Sequence, residues 1–177
     1  MRVITVSNFK GGVGKTTTAV NLATLCAGHG KRTLRIDLDP QASATDYFGL
    51  YEQAEDGANV IGLLYEGMTA DEMAYDSGTD NLRVIPATLA LINQNELLLA
   101  EQSLRFALDD VAGEYDVAII HTAPSAKQLV PCAYVAPSGR RDAIIPATLD
   151  PPVMRGPPPG VDPLRLVAPT PRPPAPT

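Results

Sequence analysis

The sequence has 177 residues, of which 45% are hydrophobic and 5% aromatic, and this suits one domain of ordinary size with an aliphatic core. A formal net charge of −6 argues against a broadly basic surface for nucleic acid, and two cysteines, Cys26 and Cys132, are too few for a disulfide framework. The sequence contains no run of about 18 apolar residues and no signal-peptide pattern, so we expect a cytoplasmic protein without a membrane span.

A glycine-rich stretch follows the first predicted strand, the β-branched run Val3–Val6. The stretch opens into a predicted helix from Thr16 to about Ala27. Glycines allow backbone N–H groups to converge on phosphate oxygens, and the N-terminus of a helix favours negative charge. The pattern therefore predicts a phosphate cradle made of Lys10, Gly11, Gly12, Val13, Gly14, Lys15, Thr16 and Thr17.

Two side chains of this cradle have expected roles. In a phosphate-binding loop of this kind, Lys15 reaches the β- and γ-phosphates, and the Thr16 hydroxyl holds Mg²⁺. The usual pattern has a glycine five residues before Gly14, and this sequence has Phe9 there, followed by an additional lysine, Lys10. The stretch is therefore a variant of the common phosphate-binding loop.

Two carboxylates, Asp37 and Asp39, follow each other at the end of the second predicted strand, Thr33–Asp37. Open α/β sheets bind ligands in the crevice at the carboxyl ends of their strands. Both acids are therefore candidates for the same site as the glycine-rich stretch. The alternative interpretation is a turn that carries two solvated acids.

The remaining predicted elements are short helices at 44–48 and 60–65, a third strand at 81–86, a helix in two pieces from 89 to 111, and strands at 115–120 and 142–146. The strand at 115–120 is almost continuously apolar, which is typical of a buried parallel strand. The predicted fold is therefore a doubly wound, mostly parallel α/β sheet with flanking helices over residues 1–150.

The last 27 residues, 151–177, include eleven prolines, a composition that predicts disorder or polyproline II. Three interpretations stay open for this tail. It is a proline-rich ligand for an SH3-like groove, a linker, or a segment read out of frame.

Three segments resemble the deviant Walker A ATPases of the ParA/Soj/MinD group. The stretch at 10–17 resembles the family's deviant Walker A motif, and the segment at 37–41 resembles its Asp-x-Asp-Pro-Gln signature. The segment at 121–125 is similar to the family's Asp-Thr-Pro-Pro-Ser, but His121 stands in place of the aspartate. The resemblance covers about residues 1–150 and implies a P-loop NTPase fold that lacks the family's C-terminal strands and helices.

The resemblance also implies chemistry, namely hydrolysis of ATP to ADP and phosphate with ATP and Mg²⁺ as cofactors. Asp39 would position or activate the attacking water, Asp37 would lie near the metal, and Lys10 would reach the nucleotide of the partner in an ATP-dependent homodimer. The aspartate that the family has at position 121 is the Walker B acid, which orients a Mg²⁺-bound water. Because neutral imidazole lacks a carboxylate's charge, we expect His121 to make this ATPase weak.

At the level of the cell, the resemblance implies plasmid or chromosome partition, a ParB-like partner that stimulates hydrolysis, and association with the nucleoid through nonspecific DNA. We expect the DNA binding to be weak here because of the negative net charge. The alternatives are a non-catalytic nucleotide-binding and dimerisation protein and a MinD-like membrane-cycling ATPase. The second needs a C-terminal amphipathic helix, which a proline-rich tail does not supply.

Overall fold

The structure, a computed structural model, describes residues 1–94, 97–124, 129–135 and 140–148. The proline-rich tail at 151–177 and Ser125, the last residue of the predicted motif at 121–125, lie outside the described residues.

The described residues form one sheet with flanking helices. The strands are β1 Arg2–Val6, β2 Thr33–Leu38, β3 Tyr75–Asp76, β4 Leu82–Ile85, β5 Val117–Thr122 and β6 Arg140–Ile144. The helices are α1 Lys15–Gly28, α2 Ser43–Tyr47, α3 Tyr51–Glu55, α4 Val60–Tyr65, α5 Ala70–Met73, α6 Leu97–Asp110 and α7 Leu129–Val135, with a 3₁₀ helix at Leu89–Asn93.

The strands lie in the order β3-β4-β2-β5-β1-β6, and all neighbours are parallel except β3 and β4. Parallel neighbours need crossover connections, which the helices between the strands supply. This topology confirms the predicted doubly wound, mostly parallel sheet. Strand β5 lies between β1 and β2, so the carboxyl ends of these three strands form one edge.

Both faces of the sheet are covered by helices. One face packs against α4 and α6 through residues such as Leu64 and Leu104, and the other packs against α1 through Ala19 and Ala23. Side chains alternate along a strand, so Arg35 and Asp37 of β2 point to the face that α1 covers.

The predicted elements agree with the structure within a few residues at their ends. The predicted third strand at 81–86 corresponds to β4. It is the fourth strand in chain order because the two-residue edge strand β3 comes before it. The sequence analysis missed β3, α3, α5 and α7, all of which are short. Among the described residues, no helix is long and apolar enough to cross a membrane.

Candidate functional site

The glycine-rich loop connects the end of β1 to the start of α1 and has a backbone that requires glycine at two positions. Gly12 and Gly14 have φ angles of 72° and 85°, which L side chains rarely adopt. Gly14 is also the N-cap of α1 and offers no side-chain cap to the helix. The N–H groups of the first turn are therefore available to an anion in the loop.

The Lys15 side chain lies beneath this loop. It is only 6% exposed, and its Nζ donates a hydrogen bond of 2.9 Å to the backbone carbonyl of Lys10. Burial lowers the pKa of Lys15, and the charge of Asp39 opposes this effect. The ammonium therefore lies against the loop backbone, where a bound phosphate would replace the carbonyl as its acceptor.

The Asp37 carboxylate, at the carboxyl end of β2, is fully buried and surrounded by donors. One oxygen accepts hydrogen bonds from the Thr45 backbone N at 3.0 Å and from the Thr45 hydroxyl at 2.8 Å. The other accepts from His121 Nδ1 at 2.9 Å and from the Asp39 backbone N at 3.2 Å. Burial raises the pKa of Asp37, but Arg35, His121 and Thr45 outweigh it and bring this pKa down to about 2. The carboxylate is therefore ionised at neutral pH.

Arg35 is the unexpected residue of this region. Its guanidinium is fully buried and lies 3.5 Å from the Asp37 carboxylate and 5.6 Å from the centre of the Phe48 ring. None of its three side-chain nitrogens has a hydrogen-bond partner within the described part of the chain. Burial lowers the pKa of Arg35, and the Asp37 charge opposes this. The sequence signal that went unused is a charge in the middle of a buried strand, two residues before Asp37.

The His121 side chain connects Asp37 to the phosphate loop. Asp37 and His121 are register partners on β2 and β5, and both side chains are fully buried. His121 Nδ1 lies 2.9 Å from Asp37 Oδ1, and its Nε2 lies 3.3 Å from Thr16 Oγ1 in the first turn of α1. The structure therefore brings Thr16, Asp37 and His121 together, although they are far apart in the sequence.

Asp39 follows β2 and is 6% exposed. Its Oδ1 accepts a hydrogen bond of 3.0 Å from the backbone N of Gln41. The roles predicted for Lys10, Lys15 and Asp39 in hydrolysis remain predictions, as do those of Thr16 and Asp37 at a metal.

The oxygen atoms beside the loop suit Mg²⁺ in kind but are few in number. The Thr16 hydroxyl and the Asp39 carboxylate offer the oxygen ligands that this ion prefers. Over the described residues, no group of three or more His, Cys, Asp or Glu side chains is able to hold a metal ion. The site therefore fits a cation that arrives with, and is held largely by, a phosphate ligand.

A separate cleft of about 530 Å³ lies at the opposite, amino ends of the strands. Its two arginines are already paired, Arg32 with Asp116 and Arg83 with Asp71. This cleft therefore does not compete with the loop as the phosphate site.

The sequence matches the family model described as an AAA domain over residues 1–156. It is 40% identical over 135 residues to the chromosome partitioning protein ParA of Myxococcus xanthus, and the match covers 70% of this chain and 45% of that protein. It is 39% identical over 128 residues to the sporulation initiation inhibitor protein Soj of Bacillus subtilis, and the match covers 70% of this chain and 50% of that protein. The chain thus spans about half the length of these curated relatives.

Three solved structures are similar to this chain in fold and sequence. A plasmid partition protein of Borrelia burgdorferi bound to AMPPNP has a TM-score of 0.72 and 30% identity over 86% of this chain and 64% of its own. Cobyrinic acid a,c-diamide synthase of Mycobacterium smegmatis, bound to an ATP analogue and magnesium, has a TM-score of 0.74 and 30% identity. This match covers 85% of the present chain and 61% of the synthase chain. The pNOB8 ParA bound to nonspecific DNA has a TM-score of 0.66 and 29% identity over 86% and 55%.

The family match covers most of the chain, and the fold and the variant loop agree with it. The chain therefore belongs to the ParA/Soj family of P-loop partition ATPases.

Proposed function

We propose that this chain binds ATP with Mg²⁺ at the Lys10–Thr17 loop and hydrolyses it slowly, as a ParA-like protein of plasmid or chromosome partition. One observation carries the proposal, the preformed phosphate cradle. Gly12 and Gly14 adopt positive φ angles, and the buried Lys15 ammonium lies beneath the loop. The relatives bound to AMPPNP and to an ATP analogue with magnesium support the choice of ligand.

The proposed mechanism divides the work among named groups. Backbone N–H groups of the loop bind phosphate oxygens, and Lys15 exchanges the Lys10 carbonyl for the β- and γ-phosphates. The Thr16 hydroxyl would hold Mg²⁺, which would supply neutralising charge to the phosphates. Asp39 orients the attacking water. Turnover is slow because an imidazole occupies position 121, where the family places a carboxylate.

Assembly and location follow from the same proposal. With ATP bound, two copies form a homodimer in which Lys10 reaches the nucleotide of the partner copy, and a ParB-like protein stimulates hydrolysis. The dimer works in the cytoplasm and associates only weakly with nucleoid DNA, the kind of ligand that the pNOB8 relative binds.

The experiment that tests the proposal is His121→Asp. We expect Mg·ATP affinity and turnover each to rise by about tenfold, because a charge-assisted hydrogen bond is roughly twice as strong as a neutral one. Calorimetry and a phosphate-release assay measure the two quantities. His121→Asn is the matched control, since it shortens the side chain in the same way without adding charge.

Two results would count against this assignment. If His121→Asp and His121→Asn behave alike, position 121 does not act as the Walker B site. If neither the unmodified chain nor His121→Asp releases phosphate while both bind Mg·ATP, the second candidate function holds. That candidate is a non-catalytic nucleotide-binding protein. The observation that favours it is the contact of 2.9 Å between His121 Nδ1 and Asp37 Oδ1.

DNA binding by this chain is expected to be weak. The net charge is −6, and nonspecific affinity comes mainly from neutralised phosphates. We expect a dissociation constant no tighter than about 10 µM for duplex DNA with Mg·ATP at physiological salt. Fluorescence anisotropy at several salt concentrations measures it, and tight binding with a steep salt dependence would overturn the prediction.

A further inference from the structure

We infer that Asn8 is a positioning residue for Lys10, because its side chain ties the backbone of the phosphate loop to the segment that follows β6. The functional part of the inference rests on the proposed function, in which Lys10 reaches the nucleotide of the partner copy. The contact itself is present in the free chain, so it can be tested without nucleotide.

The phosphate loop begins where the pairing of β1 with β6 ends. The Ser7 backbone N donates a hydrogen bond of 3.1 Å to the Ile144 carbonyl. The two strands are parallel, with Val6 opposite Ile144, so the next N–H on β6 in this register would be that of residue 146. That residue is Pro146, and proline has no backbone N–H to donate. The backbone pairing therefore cannot extend from β6 into the loop.

The Asn8 side chain makes the connection instead. Its Nδ2 donates a hydrogen bond of 2.8 Å to the Pro146 carbonyl, and its Oδ1 accepts one of 2.9 Å from the Lys10 backbone N. A carbonyl only accepts and a backbone N–H only donates, so the two partners fix which end of the amide faces each of them. One half-buried side chain thus joins the end of β6 to the loop.

The backbone of Lys10 is held on both sides. Its N–H is bonded to Asn8 Oδ1, and its carbonyl accepts a hydrogen bond of 2.9 Å from Lys15 Nζ. In the proposed mechanism Lys15 leaves this carbonyl for the phosphates of a bound nucleotide. The bond between the Lys10 N–H and Asn8 does not depend on that exchange. Asn8 therefore keeps the Lys10 backbone in place while the Lys10 side chain reaches the partner copy.

The same bond also affects the phosphate site. The Lys10 N–H is directed at Asn8 Oδ1, so it is not one of the donors that bind phosphate oxygens. Those donors come from later in the loop and from the first turn of α1, where Gly14 leaves the N–H groups without a side-chain cap. Asn8 thus separates the residue that serves the partner from the residues that bind the chain's own nucleotide.

The first test measures hydrogen exchange at the Lys10 amide in the full 177-residue chain at pH 7, without nucleotide. We expect this amide to be protected, and Asn8→Ala to speed its exchange by about fivefold, the size of one net hydrogen bond. Asn8→Asp should keep the protection, because a carboxylate also accepts from the Lys10 N–H. The amides of β5 report the fold and should stay protected in every variant.

Asn59→Ala is the matched control. Asn59 makes the same two kinds of hydrogen bond, since its Oδ1 accepts from the Ile61 backbone N and its Nδ2 donates to the Ala54 carbonyl, each at 2.9 Å. It caps α4, on the face of the sheet that α1 does not cover. We expect Asn59→Ala to leave the Lys10 amide unchanged. A Lys10 amide that is unprotected in the unmodified chain, or that does not respond to Asn8→Ala, would overturn the inference whether or not the chain binds nucleotide.

The second test separates nucleotide binding from assembly. Calorimetry measures the affinity for Mg·ATP, and sedimentation measures the dimer dissociation constant at saturating Mg·ATP. We expect Asn8→Ala to change the affinity by less than about threefold, because it leaves Lys15 and the later loop donors in place. The dimer should weaken by about twentyfold, since each of the two copies loses a bond that contributes about fivefold. Asn59→Ala should change neither quantity.

The outcomes distinguish this inference from the function on which it rests. Equal weakening of nucleotide binding and of the dimer in Asn8→Ala would mean that Asn8 acts only through the general stability of the loop, and would overturn its assignment to Lys10. If the unmodified chain does not bind Mg·ATP, the proposed function is rejected. If it binds without forming a dimer, the role of Lys10 across the dimer is rejected. In both cases the exchange measurement still decides whether Asn8 holds the Lys10 backbone.

Discussion

Replacing Lys15 with alanine is expected to weaken ATP binding by at least about a hundredfold, which corresponds to about 2.7 kcal/mol. The Lys15 ammonium is 6% exposed and is held beneath the loop by the Lys10 carbonyl at 2.9 Å. In this position it would neutralise the charge of a bound phosphate away from bulk water, where a charge-assisted hydrogen bond is strongest. Titration calorimetry with ATP and Mg²⁺ gives the affinity directly.

Lys10→Ala is the matched comparison, because it removes the neighbouring charge of the same loop. The contact that Lys15 makes is to the backbone carbonyl of Lys10, which alanine retains. We therefore expect Lys10→Ala to bind ATP within about threefold of the unmodified chain, well below the effect of one lost charged hydrogen bond. Gel filtration with ATP should show that it no longer dimerises. Dimerisation of Lys10→Ala with ATP would reject the role across the dimer, and retained binding in Lys15→Ala would reject the loop as the site.

The fold was predictable because its determinants are local. The glycine spacing before a helix, the apolar strands and the acids at a strand end each follow from a few neighbouring residues, and the carboxyl ends of parallel strands bring such residues to one edge. The comparisons confirm the family, and the topology confirms the sheet. The short edge strand β3 was not predictable, because two residues carry no period.

The positions of Asp37 and His121 were predictable, and their bonding was not. The end of the second strand placed Asp37 near the loop, the family resemblance placed His121 there, and the structure brings both to it. It did not predict that both Asp37 oxygens would be buried and bonded within the fold, because their partners include Thr45, eight residues further along the chain. Arg35 was missed because strand patterns predict which face a residue occupies and not what a buried charge will meet there.

The second large effect that we expect is a loss of stability when the contact between Arg35 and Asp37 is broken. The size of the loss depends on which of the two side chains is replaced. Asp37→Asn removes the anion beside a fully buried guanidinium, and breaking a buried pair from one side costs about 4 kcal/mol of the free energy of unfolding. Arg35→Met should cost less, about 2 kcal/mol, because the three nitrogens it removes have no hydrogen-bond partner among the described residues, although Asp37 loses its nearest positive charge. The Asp37 carboxylate meanwhile keeps its donors from Thr45, His121 and Asp39.

Urea unfolding at pH 7 measures these differences, at a pH where the Asp37 pKa of about 2 keeps the carboxylate ionised. The double variant Arg35→Met/Asp37→Asn is the sharpest part of the experiment. It removes the guanidinium that Asp37→Asn alone would leave buried without a counter-charge. We therefore expect it to be more stable than Asp37→Asn by about 2 kcal/mol or more. If Arg35→Met instead destabilises the chain as much as Asp37→Asn does, then the guanidinium contributes more to the fold than its contacts indicate. In that case Arg35, and not the Thr45 and His121 donors, is what holds Asp37 in place.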